Sequence, residues 1–208
     1  MVSASAELLS PMFQDTLEML ALTSAAYRRH DAAGVELAAA IGRSVHKREK
    51  DLTERLLAGD PAATGLTFIP AHLERVGDAI EGLLRCLRTM WSEGTVFTER
   101  GTREINQLME TASELLECAR DVTLTRNRVL AQHVELESLR FHDMASDFAR
   151  AHEERLIEGV CLPKASSAYL AMVDYLREIV RHARRIGARM VPPPQPTGRV
   201  NEPVRQQT

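Results

Sequence analysis

Helix-breaking residues are sparse in this 208-residue chain, and the intervals between them are long enough for extended helices and little else. The breaks are "AGDPAATG" at 58–65, "SEGT" at 92–95, "EGVCLP" at 158–163 and a tail from Val191. From Pro11, the residues Phe13, Leu17, Leu20, Ser24 and Tyr27 recur at three- or four-residue steps, which predicts a first helix with the proline in its opening turn. The pattern relaxes around His30-Asp31-Ala32-Ala33-Gly34, and a second stripe carries Leu37, Ile41, Val45, Leu52 and Leu56 as far as Gly59 and Pro61. A third helix, from about Pro70, sets Leu73, Val76, Ile80, Leu83, Leu87 and Met90 on one stripe and Glu74, Asp78, Glu81 and Arg85 on an adjacent polar one.

The remainder repeats this plan. One helix runs through Ile105, Leu108, Ala112, Leu115 and Ala119, another through Val134, Phe141, Met144, Phe148 and Leu156, and a last through Leu170, Val173, Leu176, Val180 and Ala183. Two hexapeptides underline the repetition: "ERLLAG" from Glu54 and "ERLIEG" from Glu154 lie one hundred residues apart, and the same shift pairs Leu73 with Val173, Glu74 with Asp174 and Asp78 with Glu178. The expected architecture is all-α: six long helices forming two pseudo-symmetric antiparallel three-helix bundles over residues 1–95 and 96–190, with a disordered Pro-rich tail at 191–208.

Composition narrows the function. An aromatic fraction of 4% disfavours an all-β core, and a net charge of −3 supplies no general attraction to nucleic acid or anionic lipid. Cys86, Cys118 and Cys161 are isolated, without the spacing of a disulfide framework or structural zinc site, which fits a reducing cytoplasm. No apolar run approaches the ~18 residues of a membrane span, so direct membrane insertion is not expected. Walker loops, dinucleotide fingerprints, nucleophile elbows and H-E-x-x-H are all missing, and no catalytic residues are assigned.

Chemistry concentrates in "HLERVGDAIEGL", residues 72–83, where Glu74 and Asp78 stand one helical turn apart on one face. Like charges at that spacing repel by a few tenths of a kcal/mol, so the pair calls for a cation: either a bound metal or a basic side chain such as Arg75 or Arg85. Gly77 between them costs roughly 1 kcal/mol against alanine, which a close approach by a neighbouring backbone or a bound ion would explain. The second helix offers His46 and Glu49 as further candidate metal ligands, within a densely charged stretch. In the second half Asp143 and Asp147 form one acidic pair and Asp174 and Glu178 another, the latter crowded by Arg177, Arg181, Arg184 and Arg185.

Leu73-Glu74-Arg75-Val76-Gly77-Asp78 resembles the PhoU signature, an aliphatic residue followed by Glu-Arg-Ile-Gly-Asp on the third helix of a three-helix bundle. "HEERLIEG" with the following "SSAYLAMVDYLREIVRHARRI" resembles the second repeat of the PhoU-like domains of sodium/phosphate cotransporters, so that the likeness runs to about Met190. The resemblance implies a cytoplasmic regulator or adaptor, a homodimer rather than an enzyme, whose partner is a phosphate transporter or its sensor at the cytoplasmic membrane face. It also implies iron or zinc at acidic motifs: Glu74 and Asp78 match the first motif, and Glu49 falls where the second helix supplies an acid, although Thr53 replaces that acid's partner. If "YLREIVRHA" is laid on the second motif, Arg177 and Arg181 replace both acids and Val180 the glycine; a shift of one hundred instead keeps Asp174 and Glu178 but loses the rest. The competing readings are a di-iron or iron-handling bundle with Glu49, Glu74, Asp78 and Asp143 turned inward, and a metal-free helical scaffold.

Overall fold

A computed structural model describes residues 4–58 and 65–190. After a short α1 (Ala4–Glu7), six long helices follow: α2 (Ser10–Arg29), α3 (Ala32–Ala58), α4 (Ile69–Ser92), α5 (Glu99–Thr125), α6 (Arg128–Ile157) and α7 (Pro163–Met190). There is no strand among the described residues. The tail at 191–208, and Gly59 and Pro61 in the first break, lie outside them.

Two-residue connections force α2 and α3, and likewise α5 and α6, to run antiparallel, and the same local device builds both turns. His30 (φ 54°) closes α2 in the left-handed region, donating its N–H to Ala26, and the Asp31 carboxylate then accepts from Ala33 N–H. Arg126 (φ 56°) closes α5 on Val122 in the same way, and the Asn127 side chain accepts from Val129 and Leu130. Aspartate and asparagine suit such positions because their short side chains stand in for the missing backbone partners. The two turns are 96 residues apart, not one hundred.

In the first bundle α2, α3 and α4 pack on one another, and in the second α5, α6 and α7. The bundles join along α4 and α7, which lie antiparallel: Phe68 is level with Arg189, His72 with His182, and Glu93 with Lys164. Contacts between α2 and α5 complete the junction, and one core runs through both halves. All six apolar residues expected on the third helix stripe are buried, as are Ile105, Leu108, Ala112, Leu115 and Ala119 of α5. Leu37 is not: it is 53% exposed, because Val35 and Ala38 already fill the inward face at the start of α3.

The hexapeptides end α3 and α6, but their arginines differ completely. Arg55 is exposed, next to Asp51. Arg155 is buried and grips Glu104 of α5 with two bonds of 3.0 and 2.6 Å, while the Tyr169 hydroxyl of α7 donates to the same carboxylate at 2.6 Å. Burial pushes the Glu104 carboxyl up, but hydrogen bonds from Arg155 and Tyr169 outweigh it and hold the group below the ordinary glutamate range. Past α6 the chain turns on Gly159 at φ 73°, a conformation costly for any residue with a Cβ.

Candidate functional site

The acidic stripe of α4 faces α3 across a single histidine. His46 Nδ1 lies 3.4 Å from Glu74 Oε1, and its Nε2 lies 3.7 Å from Asp78 Oδ1 and 3.4 Å from Glu81 Oε1. Glu74, Asp78 and Glu81 reach one imidazole because residues at i, i+4 and i+7 share a helix face. Each side chain is about one-third exposed, so the group sits on the bundle surface, reachable from solvent.

Two glycines bring the helices close enough for this. A Cβ on Gly77 would lie 3.2 Å from Val45 Cγ1, and one on Gly42 would lie 2.8 Å from the Glu81 carboxylate. The neighbour that comes close at Gly77 is thus the side chain of Val45, where a backbone or a bound ion was expected.

A neutral imidazole carries one N–H and cannot donate to carboxylates at both ring nitrogens. An imidazolium donating from both nitrogens satisfies the arrangement, and so would a metal ion taking one ring nitrogen together with carboxylate oxygens. One ligand atom each from His46, Glu74 and Asp78 lies within 4.8 Å of the others, which fits a three-point nitrogen and oxygen site with open positions. Glu81, which the periodicity places on the same stripe with no motif to mark it, lies 3.4 Å from His46 Nε2 but outside that three-residue group.

Glu49 does not join this group. Its carboxylate accepts from Thr53 on its own helix, at 3.2 Å. Asp143 is exposed on α6, and Glu49, Glu74 and Asp78 are only partly buried. The four carboxylates thus do not converge on a buried bundle centre, as an inward-facing di-iron site requires.

The corresponding place in the second half has opposite charge. His142 stands sixteen residues past Arg126, as His46 stands sixteen past His30. It lines a pocket of about 360 Å³ whose α7 wall carries Arg177, Arg181 and Arg184. Those arginines repeat the i, i+4, i+7 spacing of Glu74, Asp78 and Glu81 at a shift of 103. The caps and this spacing support the register in which Arg177 and Arg181 stand where Glu74 and Asp78 stand in the first half. Asp174 and Glu178, the acids aligned by a shift of one hundred, are instead ion-paired with Arg177 and Arg181.

No protein-family model matches the sequence, and no curated protein matches it either. Among solved structures, PhoU from Pseudomonas aeruginosa is similar with a TM-score of 0.80 and 16% identity, over 89% of this chain and 93% of that one. The phosphate transport system regulatory protein PhoU from Streptococcus pneumoniae is similar with a TM-score of 0.79 and 12% identity, over 89% of this chain and 91% of that one. The chain has a PhoU-like fold.

Proposed function

We propose that this protein is a cytoplasmic, non-catalytic regulator of phosphate transport or phosphate-responsive signalling, acting as an adaptor on a membrane transporter or its sensor. The observation that carries the reading is the PhoU-like fold over 89% of the chain, one of whose solved counterparts is a phosphate transport system regulatory protein. No helix among the described residues is long and apolar enough to cross a membrane, which agrees with a membrane role exercised through a partner. Homodimer formation is part of the proposal.

The first-half cluster serves this adaptor as a metal centre of iron or zinc. His46, Glu74 and Asp78 would hold the ion, with Glu81 beside them at 3.4 Å from His46 Nε2, and its charge would offset the repulsion along α4 and tie α4 to α3. Glu49 is left out of the ligand set. Co-purification of the tagged protein with phosphate-transporter components from its native cells tests the adaptor role. Recovery of a transporter or sensor subunit supports it, and absence of any such subunit under both phosphate-rich and phosphate-poor growth overturns it.

A further inference from the structure

The pocket between α6 and α7 joins three guanidinium groups, Arg177, Arg181 and Arg184, with His142 and Ser138, against one lining carboxylate, Glu178. Two polar atoms in this wall have no hydrogen-bond partner although both are buried: Ser138 Oγ and Arg177 Nε. Ser138 is only 4% exposed, so its hydroxyl is held out of bulk water in the pocket wall, where an unsatisfied group costs free energy.

The ion pairs around the pocket leave donors to spare. Arg177 gives Nη1 to Asp174 and Nη2 to Ser146, which leaves Nε. Arg184 gives Nε and Nη2 to Glu135, which leaves Nη1. Arg181 is paired with Glu178 through a single nitrogen. We infer that this pocket binds a small phosphate-class oxyanion, inorganic phosphate or diphosphate. Donors converging from two helices suit a tetrahedral anion better than a planar carboxylate, which one guanidinium fork satisfies by itself. Where the first half gathers acids around a histidine to hold a cation, the second gathers arginines around a histidine to hold an anion.

The inference stands apart from the transport reading, because its test uses purified full-length protein and no transporter. Calorimetric titration at fixed ionic strength with inorganic phosphate, diphosphate, sulfate and chloride reads it directly. Saturable phosphate or diphosphate binding is expected, weakened about tenfold by Arg181→Gln and by Ser138→Ala, and unchanged by Arg103→Gln on the remote face of α5. Binding must persist in a Glu74→Ala, Asp78→Ala variant. No saturable binding overturns the inference, as does equal binding of chloride. Equal weakening by Arg103→Gln would show a diffuse ion atmosphere, and loss in the Glu74→Ala, Asp78→Ala variant would move the anion to the first-half metal; either result also overturns it.

Discussion

His72 of α4 and His182 of α7 meet where the two bundles join, with their Nδ1 atoms 2.9 Å apart. At that distance one ring donates and the other accepts, so the pair holds together with one proton between the two nitrogens. Burial lowers the His182 pKa to about 4, with His72, Arg181, Arg185 and Arg75 acting in the same direction. Burial, Arg185 and Arg189 lower that of His72. The Glu178 carboxylate, 3.6 Å from His182 Nε2, opposes this without reversing it.

A histidine whose folded pKa is depressed binds its proton more readily when unfolded. Its contribution to stability is complete above the unfolded value near 6.5 and is lost as pH falls toward 4. Burial depresses His152 too, in the same direction. Urea denaturation between pH 7.5 and 4.5 is expected to show a loss on the order of 2 kcal/mol from the His72–His182 pair. In His182→Gln the His182 part of the slope disappears, leaving the contributions of His72, His152 and the carboxylates; a slope identical to that of the parent would refute the assignment.

The twin hexapeptides provide an internal control on the buried ion pair. Arg155→Ala removes the buried cation from Glu104, leaving it Tyr169 and the exposed Arg100, and is expected to cost about 3 kcal/mol, whereas Arg55→Ala at the exposed copy should change stability by less than about 0.5 kcal/mol. Denaturant midpoints of the two variants decide the matter. Comparable losses would mean that the Glu104 pair is not what distinguishes the copies.

The proposed metal centre has its own pattern of variants. Elemental analysis and zinc titration should show metal in the parent protein and in Glu49→Gln, and its loss in the Glu74→Ala, Asp78→Ala variant. Glu81→Gln is expected to weaken binding by roughly tenfold. Equal metal content in the parent and the double variant would remove the site.

Much of the fold was legible because helix periodicity survives without tertiary information. The stripes of α4 and α5 are buried as their sequence spacing predicts. Register was not legible. The words "ERLLAG" and "ERLIEG" suggested a shift of one hundred, but the caps relate α3 to α6 at 96 and the histidine-facing stripes relate α4 to α7 at 103. Those differ by about one helical turn in either direction, which keeps the same face inward while changing every partner. Spacing and motif single out His46, Glu74 and Asp78, which the structure brings together; that Glu49 stands apart, bonded to Thr53, depends on how α3 packs on α4, which no local pattern encodes. Arg155 and Glu104 were missed for a related reason: their pairing joins residues 51 apart on different helices, and each looks like an ordinary surface charge in its own window.

The most direct measurement of the central claim is phosphate uptake by the native cells, with the gene present, deleted and restored. A regulator of phosphate transport predicts that cells lacking it no longer reduce uptake when external phosphate is plentiful, and that the parent gene restores the response. Identical uptake in the three strains, at both low and high phosphate, would contradict it.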